Sequence, residues 1–413
     1  MQERIYGLIG RTLKHSYSVP IHRALGNPGY ALFEREPEAL AAFFARGDIG
    51  GLNVTIPYKR DVMAFCDELD ETAREIGSVN TIVRRENGKL AGYNTDAYGL
   101  QYMIARAGIP LEGKKVVIFG GGGASLTAQY VAKRSGASEI VVVSRGGADN
   151  YENLNRHLDA QILINTTPLG MYPHTGELPA DPARFSACQG VVELVYNPRR
   201  TALALRAEAC GIPCTEGLTM LVSQAKAAEE LFFDRAIAEQ ENERVLQLLR
   251  QSMQNIVLVG MPGSGKTTIG EALAKRSGRT SVDLDEKIVA AAGKTIPEIF
   301  AQSGEAAFRA LEREQAQIWG KESGLVLITG GGIVKDERNY ASLKQNGRIY
   351  QIERDVSLLP REGRPLSESA DLAAMMRERA PLYARFRDLA ISNETTPEDA
   401  AARIWQDFCD NVD

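Results

Sequence analysis

The sequence predicts an α/β protein of three units: an N-terminal α/β domain, a Rossmann-like domain, and a P-loop α/β domain. Three observations carry this expectation. The apolar run Lys115-Val116-Val117-Ile118-Phe119 turns directly into Gly120-Gly121-Gly122-Gly123-Ala124-Ser125. A second run, Asn255-Ile256-Val257-Leu258-Val259, turns into Gly260-Met261-Pro262-Gly263-Ser264-Gly265-Lys266-Thr267. A β run entering a glycine-rich turn and then a helix opens a nucleotide-binding α/β unit. The two lie about 140 residues apart, and 413 residues suit two or three domains at roughly 150 residues each.

Composition narrows the class of function. The formal charge is 48 − 53 = −5, a sign that does not suit a nucleic-acid backbone. Hydrophobic residues at 44% and charged residues at 24% fit a soluble globular chain with material for more than one core. No apolar run approaches the roughly 18 residues of a membrane span. Met1-Gln2-Glu3-Arg4 leads into strand-like Ile5–Gly10 rather than a signal-peptide core. Five cysteines, an odd number, point to reduced thiols and a cytoplasmic setting. Cys210 and Cys214 have no second pair nearby and read as packing residues. The four histidines are not paired at ligand spacing, so no structural zinc is expected. Small molecules are the expected partners, with neither nucleic acid nor membrane, and the oligomeric state stays open.

In chain order, residues 1–101 show α/β elements without a phosphate loop and are expected to form a substrate domain. Residues 102–217 hold the first glycine-rich unit, with a second strand at Glu139–Val143. Residues 228–252 contain no Pro or Gly, and Leu231, Ala238, Val245 and Leu249 recur at multiples of three to four, which predicts one long polar helix. Helices over 218–250 are expected to complete the first domain and lead into the last, 254–413. No Gly/Ser-rich linker intervenes, so a stiff join is expected.

Gly260-x-x-x-x-Gly265-Lys266-Thr267 has the spacing of a phosphate loop. Backbone N–H groups around Gly263, Ser264 and Gly265 can curl about phosphate oxygens. The helix from Thr268 to Ser277, stopped at Gly278, adds its positive end. Lys266 would neutralise the β/γ-phosphates and the Thr267 hydroxyl would ligate Mg²⁺. Asp283-Leu284-Asp285 follows a short strand. Carboxylates two apart on an extended chain share a face, so one can serve Mg²⁺ and the other a substrate hydroxyl; the alternative is a solvated turn. Arg309 then follows Gly304-Glu305-Ala306-Ala307-Phe308, and Val326–Thr329 runs into Gly330-Gly331-Gly332. Arg364-Pro365-Leu366 and Arg379-Ala380-Pro381-Leu382-Tyr383 complete the order.

That ordered set resembles shikimate kinase over essentially all of 254–410. The resemblance implies an NMP-kinase-like P-loop fold using ATP and Mg²⁺. It implies that Asp285, Arg309, Gly331 and Arg379 hold shikimate, the two arginines on its carboxylate, a task suited to bidentate pairing. Lys266 and Asp285 would be catalytic. Gly263, Ser264, Gly265, Lys266, Thr267, Thr268 and a lid residue, Arg364, would bind ATP, and Thr267 and Asp283 would serve the metal. Ala306-Ala307 departs from the Glu-Gly usual before Phe-Arg, and the lid around Pro360–Arg364 is short.

In the first half, Gly120-x-Gly122-x-x-Ser125 is a degenerate G-x-G-x-x-G within strand–turn–helix context. Where an NAD site presents Asp or Glu at the end of the second strand, Ser144-Arg145 stands instead. An arginine there suits a 2′-phosphate, so NADP(H) is expected over NAD(H). Lys59, in Asn53-Val54-Thr55-Ile56-Pro57-Tyr58-Lys59, and Asp96, in Asn94-Thr95-Asp96, can form an acid/base pair. The alternative for that pair is a surface salt bridge.

These motifs, with His15-Ser16-Tyr17-Ser18, Val79-Asn80-Thr81, Asn165-Thr166-Thr167-Pro168, Tyr196-Asn197-Pro198 and Gly217–Ala225, resemble shikimate dehydrogenase over residues 4 to about 245. The resemblance implies Ser16 and Ser18 on the substrate carboxylate. It implies Thr55, Asn80, Asp96 and Gln224 on ring hydroxyls, Lys59 as proton donor and acceptor, and Tyr196 beside the substrate. Gly120, Gly121, Gly122, Gly123, Ala124, Ser144 and Arg145 would hold NADP, with Leu194 and Gly217 near the nicotinamide. The second arginine that often follows is absent after Ser144-Arg145-Gly146, and Gly146–Ala160 is short for a full helix and loop.

Together the two resemblances imply reduction of 3-dehydroshikimate followed by phosphorylation of the product, steps of aromatic amino acid biosynthesis. Two other readings stand beside this one. A catalytically dead sensor would have eroded Lys59, Asp96, Lys266 or Asp283, and all four are present. A change of substrate, such as quinate, keeps the enzyme class.

Overall fold

A computed structural model describes residues 4–13, 16–355, 357 and 372–411. Arg364, expected to reach ATP from a lid, lies outside the described residues. The chain forms two compact units: Met1–Met171 with Glu177–Asn197 and Leu203–Gln247, and Tyr172–Gly176 with Pro198–Ala202 and Leu248–Asp413.

The first unit contains two sheets. The first sheet is built from β1 (Ile5–Gly10), β2 (Tyr30–Glu34), β3 (Ile49–Val54), β4 (Glu68–Leu69), β5 (Thr81–Arg84) and β6 (Leu90–Tyr93). Its order is β2-β1-β3-β5-β6-β4. β1 runs parallel to β2 and β3, whereas β5 is antiparallel to β3 and β6. Side chains alternate between two cores, as a strand's period of two requires. Ile9, Leu52 and Ile82 pack with Phe43 and Phe44 on one face. Leu8, Tyr30 and Val83 meet Ala228 and Phe232 on the other. The second sheet holds β7 (Lys115–Phe119), β8 (Glu139–Val143), β9 (Ile162–Asn165) and β10 (Gly190–Glu193), all parallel, in the order β10-β9-β7-β8. The direction of winding changes at β7, so a crevice opens at the carboxyl ends of β7 and β9, where such sheets bind nucleotides. Between β8 and β9 the chain makes only a 3₁₀ turn at Leu154–His157, as befits its short length.

The single long helix expected over 228–252 is two helices, Gly217–Phe233 and Gln240–Met253. The chain turns at Asp234, a left-handed residue at φ 46°. Side-chain contacts across the turn hold the break, and no Gly or Pro marks it. Lys226, 2% exposed, binds Glu230 and Glu239 across it, and Glu230 accepts from the Ile237 N–H at 2.8 Å. Aspartate tolerates the left-handed region better than most side chains.

The second unit has one parallel sheet: β11 (Asn255–Val259), β12 (Ser281–Asp283), β13 (Val326–Ile328), β14 (Gly347–Glu353) and β15 (Leu389–Ser392), in the order β12-β13-β11-β14-β15. The phosphate loop leaves the central strand β11 and enters the helix Lys266–Ser277, which ends at left-handed Gly278. Thr295 and Glu298 form a reciprocal capping box at the start of Ile296–Gly320, and Gly304 (φ 79°) kinks that helix. The sequence expectation of a second strand before Asp283 holds. The reason given for a shared face does not: Leu284 already begins the helix Leu284–Ala292, so Asp283 and Asp285 are not both on extended chain.

Candidate active sites

The first site lies where β3, β5 and the helix Thr95–Arg106 meet. Asn94 caps that helix, accepting from the Ala97 N–H, and this sets Asp96 in its first turn. Lys59 follows β3 in a turn anchored by Tyr58, whose buried ring sends its hydroxyl to the Arg35 carbonyl at 2.6 Å. Lys59 Nζ reaches Asp96 Oδ2 at 2.5 Å, with the two side chains 27% and 15% exposed. This is a partly sheltered ion pair rather than a fully exposed one. Beside it, Asn80 Oδ1 accepts from the Thr95 N–H at 2.7 Å, and Asn80 Nδ2 donates to Thr95 Oγ1 at 3.0 Å. Gln224 Oε1 lies within 3.5 Å of both. Asn80 and Gln224 are thus neighbours although 144 residues separate them.

Ser16 and Ser18 stand at the start of the helix Ser18–Ala24, where the Ser18 N–H donates to Ser16 Oγ at 3.2 Å. Tyr17, between them, meets Tyr196 edge to face at 6.0 Å. Burial pushes the Tyr196 hydroxyl above its ordinary pKa, so it stays neutral. Thr55 follows β3 and donates its N–H to the Ile9 carbonyl.

The nucleotide crevice sits at the end of β7. Gly120 adopts φ 110°, and a Cβ there would lie 2.6 Å from Thr166 Oγ1. Open space surrounds Gly122 and Gly123, and no side chain caps the helix Gly123–Arg134. Free N–H groups at a helix start, bare of side chains, fit a diphosphate. Ala124 is in that first turn. Ser144 is half-buried 3.5 Å from the Cβ position of Gly121, and Arg145 is exposed next to it. Gly217 opens its helix against Leu194, whose carbonyl would be 2.4 Å from a Cβ. That helix therefore links the crevice, through Gly217, to Gln224.

In the second unit a cleft of about 600 Å³ is lined by the phosphate loop, Asp283, Asp285, Arg309, Glu312, Gly331, Arg354 and Arg379. Lys266, 8% exposed, donates to the carbonyls of Gly260 (2.9 Å) and Met261 (3.0 Å). Ser264 is fully buried in the loop, while Thr268 lines the cleft. Thr267 Oγ1 is 3.4 Å from Asp283 Oδ2. Asp283 caps the next helix and accepts from the Asp285 N–H at 2.9 Å, so capping rather than strand alternation brings the two carboxylates together.

Asp285 is pushed up to about 6, chiefly by burial and then by Asp283, with Lys266 and Arg309 opposing. Glu312, which the sequence reading passed over, is pushed up to about 7 by burial, against the pull of Arg309. It binds Arg309 at 2.7 Å, and its only sequence signal is the i,i+3 spacing from Arg309 on one helix. Arg379 Nη1 and the Tyr383 hydroxyl both donate to the Gly331 carbonyl, at 3.0 and 2.6 Å. Four buried polar atoms of this cleft lack hydrogen-bond partners among the described residues. Two are acceptors, Asp285 Oδ1 and Glu312 Oε1, and two are donors, Arg354 Nε and Arg379 Nε. A ligand with both hydroxyls and anionic oxygens would satisfy all four.

Comparison with known proteins identifies relatives of both halves. The substrate-binding domain of shikimate dehydrogenase matches residues 8–82, and shikimate kinase matches residues 262–409. A shikimate dehydrogenase (NADP(+)) of Caldicellulosiruptor saccharolyticus is 34% identical over 277 residues, 60% of this chain and 98% of the relative. The chain belongs to the shikimate dehydrogenase family. One from Thermococcus kodakarensis is 39% identical over 54% of this chain and 88% of its own length. A solved chorismate mutase/shikimate 5-dehydrogenase fusion from Clostridium acetobutylicum superposes with a TM-score of 0.58 at 36% identity, covering 60% of this chain and 97% of that one. Shikimate dehydrogenase of Thermus thermophilus, solved with NADP(H) and shikimate, superposes with a TM-score of 0.54 at 27% identity, over 59% and 99%. This chain therefore joins a shikimate dehydrogenase to a shikimate kinase domain, two enzyme classes of the shikimate pathway. Among the described residues no helix is long and apolar enough to cross a membrane.

Proposed function

We propose that this chain reduces 3-dehydroshikimate to shikimate with NADPH and then phosphorylates shikimate from ATP to shikimate 3-phosphate. The observation that carries this reading is the pairing, in one chain, of the Lys59–Asp96 site with a P-loop cleft whose open donors and acceptors match a hydroxylated carboxylate. The working domains are 1–101 with 218–250, 102–217, and 254–413.

In the reductase, Ser16 and Ser18 hold the substrate carboxylate while Thr55, Asn80, Asp96 and Gln224 hold ring hydroxyls. Tyr196 closes one side. Gly120–Ala124, Ser144 and Arg145 would hold NADPH, with Leu194 and Gly217 beside its nicotinamide, and the cofactor would supply a hydride. Lys59, held in place by Asp96, gives a proton to the oxygen that gains negative charge at C3. The ketone thus takes up one hydride and one proton and becomes the hydroxyl of shikimate.

In the kinase, Arg309 and Arg379 hold the carboxylate, with Asp285 and Gly331 at the ring. Asp285 takes the proton of the attacking hydroxyl, which forms the new O–P bond as ADP leaves. Lys266 and the loop N–H groups neutralise charge on the phosphates. The oxygen pair Thr267–Asp283 fits Mg²⁺, a hard cation that takes few protein ligands beside phosphate and water.

The test is a single-tube assay with 3-dehydroshikimate, NADPH and Mg²⁺, with and without ATP, read by mass spectrometry. Shikimate alone without ATP and shikimate 3-phosphate with it are expected. NADPH oxidation without a phosphorylated product would overturn the kinase substrate. A higher kcat/KM for quinate than for shikimate would overturn the dehydrogenase substrate.

A further inference from the structure

Of the two open guanidinium donors in the P-loop cleft, Arg379 has a place in the scheme above and Arg354 has none. Arg354 stands one residue beyond β14. β14 pairs with β11 in parallel register, Gln351 opposite Val259, so its end is tied to the strand that launches the phosphate loop. The approach continues into the loop: a Cβ on Gly260 would lie 2.5 Å from the Ile352 carbonyl. Two residues later Arg354 lines the cleft that Gly263, Gly265, Lys266 and Thr267 also line.

Two of the cleft's carboxylates already have partners. Asp283 serves Thr267 and the Asp285 N–H, and Glu312 serves Arg309. Arg354 Nε is buried without an acceptor among the described residues, which costs free energy until one arrives. Lys266, the loop's own cation, is held by two loop carbonyls. A polyphosphate brings several anionic oxygens to this place, and a guanidinium fork matches them better than an ammonium does.

We propose that Arg354 is a nucleotide-binding residue of the kinase, a cation fixed at a strand end that contacts the phosphate chain of ATP. The proposal rests on the kinase reading above. Its test uses the full chain with Arg354→Gln and Arg354→Lys. ATP binding is titrated directly. Shikimate phosphorylation and NADP-linked shikimate oxidation are measured in the same preparations.

Arg354→Gln is expected to raise Kd and KM for ATP about ten- to a hundredfold. Arg354→Lys recovers part of that loss, because the charge remains and the fork does not. KM for shikimate and the dehydrogenase kcat/KM stay at wild-type values. A rise in KM for shikimate with unchanged ATP affinity would move Arg354 to the substrate end and overturn the proposal, as would no change in either constant. Should the Gln variant lose both activities together, the Lys variant decides by the same two constants. Failure of the kinase reading looks different: the wild-type protein would then neither bind ATP nor phosphorylate shikimate.

Discussion

Lys59 and Asp96 form the 2.5 Å pair on which the dehydrogenase proposal turns. Lys59→Ala removes the proton donor and is expected to lower the reduction rate by roughly 10²–10⁴-fold, with shikimate phosphorylation intact as the internal check on folding. Arg145, exposed at the end of β8, is the one residue behind the choice of NADP. Arg145→Ala should raise KM for NADPH more than KM for NADH, and an unchanged ratio would remove that basis. Asp285 carries a stability signature. Its folded pKa of about 6 exceeds the ordinary aspartate value, so the folded protein holds its proton longer than the unfolded chain does. The stability this proton provides below about pH 4 is therefore lost as pH rises through about 6, a loss on the order of 3 kcal/mol that is complete at neutral pH. Asp285→Asn should abolish phosphorylation yet raise the melting temperature at pH 7.5, with the gain vanishing near pH 4. Wild-type phosphorylation should fall below about pH 6 as the carboxylate protonates.

Helix ends do most of the positioning. The Asn94 cap sets Asp96, the Asp283 cap sets Asp285, and the start of Gly217–Phe233 closes on Leu194 while its middle delivers Gln224. The same helix stops at Asp234, whose left-handed backbone suits glycine better than aspartate. Asp234→Gly is expected to raise stability by about 0.5–1 kcal/mol and Asp234→Val to lower it by about 1–2 kcal/mol. Urea midpoints would show both, and the opposite order would mean that the turn is not held as described. The phosphate loop, the helix ending at Gly278 and the strands around both glycine-rich turns were legible in advance, because each is a run of adjacent residues. The break at 234–239 was not, because no Gly or Pro marks it and the Lys226–Glu239 contact that spans it joins residues on either side of the turn.

At the scale of the whole molecule, each site draws its groups from one unit. Lys266→Ala should abolish phosphorylation and leave reduction at its wild-type rate, the converse of Lys59→Ala. Equal loss of both activities in either variant would mean that the sites are not separable. The sequence alone determined the fold class, the two nucleotide loops and the residue types of both sites, since those depend on short-range spacing and on motifs read along the chain. Only the tertiary structure decided which of them meet. It set Asn80 against Gln224 and made Asp283 a helix cap. It also buried Glu312 against Arg309 and put Arg354 in the cleft wall. The physical reason is that burial and hydrogen-bond partnership are properties of distant segments brought together, and no local pattern encodes a contact between residues 144 positions apart.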